Sequence, residues 1–418
     1  MSVRHTAEQD RAVRRLMLFF AIVFAVEGIG QARVGIILQP LTYYLKVNGW
    51  TPLQVTAYFA VLNFPWVIKP VFGLVSDFVP LFGFRRTSYL MVASACAASA
   101  YAGIALLSEP SEFALLLLLT SYAMATASTL CGALLAENGQ GFDQTSRFVG
   151  QQWLWFNVAI MASALVGGEL VEHLSASAAL KAAAAIAAVA PIAVILATPL
   201  LLEEPRSKVD RQEFRNTLQG IIAALKSRKL YLVAGFLFLY SFAPGFGTPL
   251  YFHMTDRMGF SQAYIGVLGS IASAGWIAGA VVHRWLLRRT SPRELLYLSI
   301  VLGTASAASF LLLTDEITAA LINFANGVAA MIATIASLTL AAQHCPSRAE
   351  GFAFAGLMSI SNLADIFSTN AGAFLYEHVF DNRLGPLIVV SAASTAFALV
   401  LVPLLGLGSD NPRNRRNS

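Results

Sequence analysis

The chain has 418 residues, of which 57% are hydrophobic and only 12% are charged. A soluble domain carries about 25% charged residues, so this composition excludes an ordinary water-soluble protein. The net charge of +5 is scattered over polar segments between hydrophobic runs, which excludes a concentrated basic surface for nucleic acid.

Long hydrophobic runs recur along the whole chain, and about 20 apolar residues are enough for a helix to cross a membrane. The sequence therefore predicts an all-α integral membrane protein with twelve transmembrane helices in the lipid bilayer. The predicted spans are 16–44, 53–76, 87–107, 112–135, 148–172, 178–202, 231–253, 262–287, 294–314, 317–342, 352–378 and 384–407.

A polar segment, 203–229, predicts a cytoplasmic linker between an N-terminal six-helix bundle (1–202) and a C-terminal six-helix bundle (230–418) with a short basic cytoplasmic tail. The halves share a pattern at an offset of 210 residues, in which Gly49-Trp50-Thr51 and Trp66 correspond to Gly259-Phe260-Ser261 and Trp276. This repetition predicts a 6+6 pseudo-repeat. Two such halves, with a substrate site between them near the midplane, are the architecture of the major facilitator fold.

Lysine and arginine are distributed unevenly between the two sides of the predicted membrane. Most of the 28 cations lie in the terminal tails and the even-numbered loops. The odd-numbered loops contain Lys46, Lys181, Arg257 and Arg383. Because cytoplasmic loops carry the excess of basic residues, the sequence predicts cytoplasmic termini and a multi-pass protein of the cytoplasmic (inner) membrane.

The residue types that bind metals or attack substrates do not cluster in the sequence. Cys96, Cys131 and Cys345 are isolated, the six histidines are scattered, and there is no glycine-rich motif for a nucleotide. The sequence therefore predicts no metal site, no cofactor and no enzymatic activity, and it argues against a pump driven directly by a nucleotide.

Several polar residues lie inside predicted spans, where a charge costs roughly 2.5–3.5 kcal/mol. In the first span they are Glu27, Gln31 and Arg33, and in the eleventh they are Ser361, Asn362 and Asp365. We predict that they line a substrate or proton pathway, with Glu27 or Asp365 as the proton carrier. The alternative is that they only position helices through hydrogen bonds or ion pairs.

Further residues of the predicted pathway suit a flat, charged solute. They are Asn63, Trp66, Lys69, Tyr240 and Tyr251. Aromatic rings can stack on a heterocycle, although in membrane helices they more often pack or lie at the interfaces. Lys69 can contact an anion or belong to a gate. The proline and glycines of 244–247 predict a break or bend in the seventh span.

The loop after the second span resembles an expanded form of the loop-2/3 motif of major facilitator transporters. Its residues are Gly73, Asp77, Gly83, Arg85 and Arg86. We predict a cytoplasmic latch formed by Gly73, Asp77 and the two arginines. The alternative is that the arginines only fix topology. The equivalent place in the second half holds His283 instead of an acid, so the predicted latch is asymmetric.

The stretch 65–90 reads PWVIKPVFGLVSDFVPLFGFRRTSYL, in which a Pro-Trp-x-Ile-Lys-Pro run leads to Ser-Asp and then to Gly-aromatic-Arg-Arg. This resembles the signature of the folate–biopterin transporter family within the major facilitator superfamily. Three further segments are similar to that family: EGIGQARVGIILQPLTYYLK (27–46), YFHMTDRMGFSQAYIGVLG (251–269) and QHCPSRAEGFAFAGLMSISNLADIFSTNAGAFL (343–375). The resemblance covers both halves and implies a transporter with folate or a pterin as its substrate.

The fourth span departs from the pattern of that family, which typically reads Asp-x-x-x-Asp-x-x-x-x-Glu. Ser128, Gly132 and Glu137 occupy the matching positions, so only the glutamate remains. If the aspartates of the family bind substrate or protons, that role is lost or moved in this chain.

With this resemblance, the sequence predicts a monomeric secondary active transporter that works by alternating access. The predicted activity is proton-coupled uptake of an aromatic anionic small molecule such as folate or pterin. The alternatives are uptake of another bulky solute, such as a siderophore complex or a muropeptide, proton-driven export, or a receptor that binds without translocating.

Overall fold

The computed structural model describes residues 2–107, 110–201, 203, 215, 218–222, 226–287, 289–345 and 350–405. Most of the predicted linker 203–229 and the whole tail 406–418 therefore lie outside the described residues. The described part is helical, apart from an isolated bridge between Leu81 and Phe84.

The chain divides into two compact units. The first unit consists of Met1–Gly49 and Val61–Asn216, and the second consists of Trp50–Ala60 and Thr217–Ser418. Up to residue 200 the α-helices are α1 (Ser2–Gly30), α2 (Leu38–Val47), α3 (Pro52–Val67), α4 (Lys69–Phe78), α5 (Thr87–Leu106), α6 (Pro110–Gly141), α7 (Thr145–His173) and α8 (Ala176–Ala197).

From residue 228 onward the α-helices are α9 (Arg228–Ser241), α10 (Gly247–Asp256), α11 (Gln262–Val282), α12 (Pro292–Ser309), α13 (Glu316–Gln343), α14 (Glu350–Phe374) and α15 (Leu384–Leu401). Single π-helical turns follow α11 at His283–Leu287 and α14 at Leu375–Val379.

Among the described residues, 10 helical segments are long and apolar enough to cross a membrane. They are Pro52–Phe78, Thr87–Leu106, Phe113–Gly141, Thr145–His173, Ala176–Leu200, Gln262–Leu287, Pro292–Leu312, Glu316–Gln343, Phe352–Val379 and Leu384–Leu405. Each matches one predicted span within a few residues. The other two predicted spans, 16–44 and 231–253, are both interrupted helices.

The first predicted span is divided by a turn at 31–37 between α1 and α2. In this turn the N–H of Ile36 donates to the carbonyl of Ile29 at 3.0 Å, and the N–H of Gly35 donates to the carbonyl of Gln31 at 2.7 Å. These bonds satisfy backbone groups that a continuous helix would have paired along its axis. This interruption was not predicted from the sequence, which reads as one hydrophobic run over 16–44.

The seventh predicted span is divided at 242–246, between α9 and α10, where the proline and glycines predicted a break. The N–H of Gly245 donates to the carbonyl of Ser368 at 2.9 Å, and the hydroxyl of Ser368 donates to the carbonyl of Ala243. The backbone groups freed by the break are thus satisfied by α14.

In the first unit, α1 packs against α7 and α8, α5 packs against α6 and α8, and α4 packs against α6. Aromatic side chains fill the centre, where Phe20 lies 5.2 Å from Phe148 and 5.6 Å from Phe19 between ring centroids. Gly28 is required at the crossing with α7, because a Cβ atom there would lie 2.6 Å from the carbonyl oxygen of Phe156.

In the second unit, α9 packs against α14 and α15, α12 packs against α13 and α15, and α11 packs against α13. Gly372 of α14 lies directly against the backbone of Gly245, and a Cβ atom at Gly372 would overlap the Gly245 carbonyl oxygen. Helix pairs that cross this closely need small residues at the contact.

Several helices begin at a side chain that accepts from the first free backbone N–H groups. Ser175, Ser227 and Ser261 accept in this way from the residue three positions later. Asp315 accepts from the N–H of Thr318 at 2.8 Å, and this bond holds the pKa of Asp315 below its ordinary value.

Candidate functional site

Glu27 and Gln31 form a buried polar pair at the end of α1. Glu27 is 8% exposed and Gln31 is 4% exposed, and the Gln31 Nε2 donates to the Glu27 Oε1 at 2.8 Å. The second carboxylate oxygen, Oε2, is buried without a hydrogen-bond partner in the described part of the chain. Glu27 also lines a small cavity with Ser94 and Ser128, whose remaining walls are mostly apolar.

A hinge at Ile68 places Trp66 and Lys69 beside this pair. Pro70 has no N–H to donate to the carbonyl of Trp66, so one helical hydrogen bond is lost at the point where α3 ends and α4 begins at Lys69. The Lys69 Nζ donates to the Ser128 Oγ of α6 at 3.0 Å. The same ammonium lies 4.6 Å from the centroid of the Trp66 ring.

Arg33 contacts the same tryptophan ring from the turn after α1. Its Cζ atom is 5.8 Å from the Trp66 centroid, so two cations contact one aromatic ring. Glu27 interacts electrostatically with both Lys69 and Arg33. The structure therefore brings together five of the predicted pathway residues, Glu27, Gln31, Arg33, Trp66 and Lys69, with Ser128 as a sixth member. We call this group the Glu27–Lys69 cluster.

Asn63 lies one turn before Trp66 on α3 and is partly buried. Arg33, Lys69 and Ser128 are also partly buried, whereas Glu27 and Trp66 are almost fully buried. The cluster thus surrounds a buried carboxylate with residues that are only partly exposed.

The two predicted tyrosines of the second unit lie on either side of the break between α9 and α10. The Tyr240 hydroxyl is 3.1 Å from the Ser299 Oγ, and the Tyr240 ring stacks on Phe236. The Tyr251 hydroxyl donates to the Gln262 Oε1 at 2.9 Å. Both hydroxyls thus contribute to packing inside the second unit.

The predicted polar residues of the eleventh span lie on α14. Asp365 is exposed, Asn362 is partly buried, and the Ser361 Oγ is buried without a hydrogen-bond partner among the described residues. Asp365 therefore differs from Glu27, because its carboxylate faces accessible space and that of Glu27 is enclosed.

Of the predicted latch residues, Asp77 lies against Arg86, which is only 4% exposed. Its Nη2 atom donates to the Asp77 Oδ1 at 3.0 Å and to the Glu137 Oε1 at 2.5 Å. Glu137, the glutamate at the end of α6, thus completes an ion triad with the two residues that the sequence singled out. A Cβ atom at Gly73 would make only an ordinary 3.7 Å contact with Thr129, so helix packing does not require glycine there.

Glu203, the first residue after the sixth predicted span, contacts the backbone of the predicted latch, and this role was not predicted from the sequence. Its Oε1 accepts from the backbone N–H groups of Arg85 and Arg86 at 2.9 and 3.0 Å, and its Oε2 accepts from the N–H and the hydroxyl of Thr87 at 2.8 and 2.6 Å. The carboxylate therefore caps the N-terminus of α5, where negative charge is favoured. Nothing in the local sequence distinguishes Glu203 from its acidic neighbour, so only the fold identifies it.

Solved transporters share the fold of this chain. The nucleoside transporter NupG matches with a TM-score of 0.68 and 16% identity, covering 94% of this chain and 98% of that one. A D-xylose-proton symporter matches with a TM-score of 0.70 and 12% identity, covering 93% and 97%. The chain is therefore a multi-pass membrane protein with the fold of major facilitator transporters.

Relatives by sequence are transporters and not enzymes. The chain is 26% identical to the folate-biopterin transporter of Synechocystis sp. over 96% of its own length and 83% of that protein. It is 24% identical to folate transporter 2 of Plasmodium falciparum over 87% and 83%. The sequence model of the BT1 family matches residues 32–410, which is most of the chain. This membrane transporter of a small-molecule substrate therefore belongs to the BT1 family.

Proposed function

We propose that the protein is a secondary active transporter that works by alternating access and takes up an aromatic anionic small molecule, such as folate or a pterin, together with a proton. The observation that carries the proposal is the Glu27–Lys69 cluster, which combines one enclosed carboxylate, two cations and one indole ring. The names of the relatives, a folate-biopterin transporter and a folate transporter, supply the substrate class.

Recognition of an aromatic anion needs a ring face and a positive charge close together. Trp66 offers the ring, and Lys69 and Arg33 offer the charges at 4.6 and 5.8 Å from its centroid. Inside the membrane these cations attract an anion more strongly than in water, because the local dielectric constant is low.

Glu27 is the proposed proton carrier. It is enclosed, one of its oxygens has no hydrogen-bond partner in the described part of the chain, and it faces a small cavity with two serines. A proton on Glu27 removes the negative charge that competes with a substrate anion for Lys69 and Arg33. Proton and anion would then bind together, which is the thermodynamic requirement of symport.

In this proposal the chain crosses the bilayer twelve times as a 6+6 repeat. The 10 apolar segments, taken with the two interrupted spans, support this number of crossings. The corresponding helix contacts inside each unit support the repeat, since α1–α7, α5–α8 and α4–α6 have their counterparts in α9–α14, α12–α15 and α11–α13. The uneven distribution of Lys and Arg supports cytoplasmic termini in the inner membrane, and one chain that encloses its own path supports a monomer.

The test is uptake of labelled folate by the full chain in proteoliposomes, with and without an inward proton gradient. We expect accumulation that depends on the gradient. Glu27→Gln keeps the shape of the side chain and should abolish gradient-driven accumulation while counterflow of folate continues.

Asp365→Asn is the matched comparison, because Asp365 is exposed and should not be needed to couple the proton. Full gradient-driven accumulation by Glu27→Gln would overturn the assignment of the proton to Glu27. Counterflow of a siderophore complex or a muropeptide, with no binding of folate or pterin, would overturn the substrate class.

A further inference from the structure

The tight turn after α4 holds a phenylalanine in a left-handed backbone conformation. The N–H of Leu81 donates to the carbonyl of Phe84 at 3.1 Å, and the N–H of Phe84 donates to the carbonyl of Leu81 at 3.0 Å. Between them, Phe82 has a φ of 51° and Gly83 a φ of 83°. Turns with positive φ at both central positions favour Asn-Gly or Asp-Gly, because a bulky side chain is strained there. The backbone of the turn therefore gives no reason for a phenylalanine at this position.

The ring of Phe82 is also not used for packing, since the side chain is 82% exposed. The two ends of the turn are nevertheless held in place. The Tyr89 hydroxyl donates to the carbonyl of Val79 at 2.8 Å, and the Glu203 carboxylate accepts from the N–H of Arg85 at 2.9 Å. A strained residue persists where the surrounding structure holds it, and such residues concentrate at functional positions. The structure thus presents an outward-facing aromatic ring on a fixed turn.

An exposed apolar stripe on α4 shows which environment the ring meets. Val71, Val75 and Val79 recur at intervals of four residues, which places them on one face of the helix, and all three are exposed. Together α3 and α4 form the candidate membrane span Pro52–Phe78, so this exposed face contacts lipid tails. The stripe ends at the turn that contains Phe82. The ring therefore lies where lipid tails give way to headgroups, a depth at which aromatic residues are enriched.

Arg85 places a positive charge beside this ring. Glu203 is the nearest acid, but its carboxylate already accepts from the N–H groups of Arg85, Arg86 and Thr87 and from the Thr87 hydroxyl. These four bonds occupy the four lone-pair sites of a carboxylate. The other two acids of the latch bind Arg86, so no carboxylate of the described residues forms an ion pair with the Arg85 guanidinium. Arg85 is partly exposed, which leaves its charge accessible to an external anion.

We infer that the turn 81–84 and Arg85 form a binding site for an anionic phospholipid of the membrane. The Phe82 ring lies between the headgroup and the acyl chains, and the planar Arg85 guanidinium binds the phosphate oxygens. Anionic lipids give the cytoplasmic leaflet its negative surface, and the predicted topology places this loop on that side. The lipid is bound and not transported, so this inference goes beyond the proposed function and does not depend on the substrate.

The test is the unfolding temperature of the purified full chain in mixed micelles, in which phosphatidylglycerol replaces phosphatidylcholine of the same acyl chains. A lipid that binds the folded state raises this temperature by mass action, so a titration gives its apparent affinity. We expect phosphatidylglycerol to raise the unfolding temperature. Arg85→Gln should weaken its affinity about fivefold, the usual contribution of one cation near an anionic surface, and Phe82→Asn should weaken it by a similar factor.

Phe82→Asn separates the lipid contact from folding, because asparagine tolerates the left-handed conformation better than phenylalanine does. In phosphatidylcholine alone this variant should unfold at or above the temperature of the unaltered protein. Phe82→Trp keeps an aromatic ring and should keep the affinity for phosphatidylglycerol. Arg293→Gln removes another exposed arginine, which lies against the Tyr297 ring on the same predicted side, and should also leave this affinity unchanged.

Equal unfolding temperatures of the unaltered protein in the two lipids would overturn the inference. Full affinity for phosphatidylglycerol in Phe82→Asn or Arg85→Gln would also overturn it, as would an equal loss in Arg293→Gln, which would show a diffuse attraction to negative charge. Inorganic phosphate that stabilises the protein as much as phosphatidylglycerol would identify a free anion, and not a lipid, as the ligand. A lower unfolding temperature of Phe82→Asn in phosphatidylcholine would show that the ring packs within the protein, contrary to the inference.

Discussion

In the first unit, α1 ends at Gly30 and packs on α7 through Gly28. In the second unit, α9 ends at Ser241, and the turn that follows packs on α14 through Gly245 and Gly372. Both units therefore combine an interrupted helix with a close glycine contact. In the first unit, charged side chains lie beside the interruption, namely those of Glu27, Arg33 and Lys69. In the second unit, the backbone groups freed by the interruption are hydrogen-bonded to the hydroxyl and the carbonyl of Ser368.

This difference separates what the fold requires from what the chemistry requires. Glycine at a backbone contact is needed in both units, because any Cβ atom would overlap a carbonyl oxygen. The Glu27–Lys69 cluster and the Arg86 triad occur in the first unit, and the second unit has His283 at the place that corresponds to Asp77. We infer that transport chemistry depends on the first unit more than on the second.

The largest expected effect is the loss of a glycine contact. Gly372→Ala should lower the free energy of unfolding by about 3 kcal/mol, because overpacking a tight contact typically costs 1–3 kcal/mol and here the obstacle is rigid backbone. Thermal unfolding in detergent measures the change. Gly356→Ala on the same helix is the control, since nothing lies within 4 Å of its Cβ position. Equal shifts in the two variants would contradict the glycine contact.

The next effect concerns the latch and its asymmetry. Asp77→Asn removes the charge that Arg86 contacts at 3.0 Å and should slow transport about tenfold, the equivalent of 1.4 kcal/mol in the barrier, while equilibrium binding stays nearly intact. His283→Asn, the counterpart in the second unit, should leave the rate unchanged. Initial rates in proteoliposomes provide the measurement, and equal rates for Asp77→Asn and the unaltered protein would discard the latch.

Substitution of Glu203 should have an intermediate effect on the stability of the fold. Glu203→Gln keeps an acceptor oxygen but loses the charge at the N-terminus of α5, so we expect a loss of about 1–2 kcal/mol of stability. Glu169→Gln is the comparison, because its contact with His173 is exposed and such pairs contribute less than about 1 kcal/mol. Unfolding temperatures that fall equally for both would show that Glu203 is an ordinary surface acid.

The smallest expected effects on stability concern two hydroxyls that donate to backbone carbonyls beside the interruptions. Tyr101→Phe removes the bond from the Tyr101 hydroxyl to the Gly30 carbonyl, and Ser368→Ala removes the bond to the Ala243 carbonyl. Each should cost about 1 kcal/mol, the usual net contribution of one hydrogen bond. A clearly larger loss for one variant, measured by chemical unfolding, would show that the two interruptions are not equivalent.

Much of the fold could be predicted from the sequence, because a bilayer imposes a length and a hydrophobicity on every crossing helix. The break of the seventh predicted span was also predictable, since 244–247 contains a proline and two glycines. The break at 31–37 was not, because that turn contains no proline and one glycine. Its geometry depends on backbone bonds within the turn and on the Tyr101 hydroxyl from α5.

The sequence by itself determined which residues cost free energy to place in a membrane. It therefore singled out Glu27, Arg33 and Lys69 as candidates for a functional or structural role. Only the tertiary structure decided which residues they meet. Lys69 and Ser128 are 59 positions apart, Arg86 and Glu137 are 51 apart, and Glu203 caps a helix that begins 116 positions earlier. Hydropathy is a property of each segment alone, whereas the contacts between these residues depend on how the helices cross. Shifting any one helix by a turn would bring different side chains into contact.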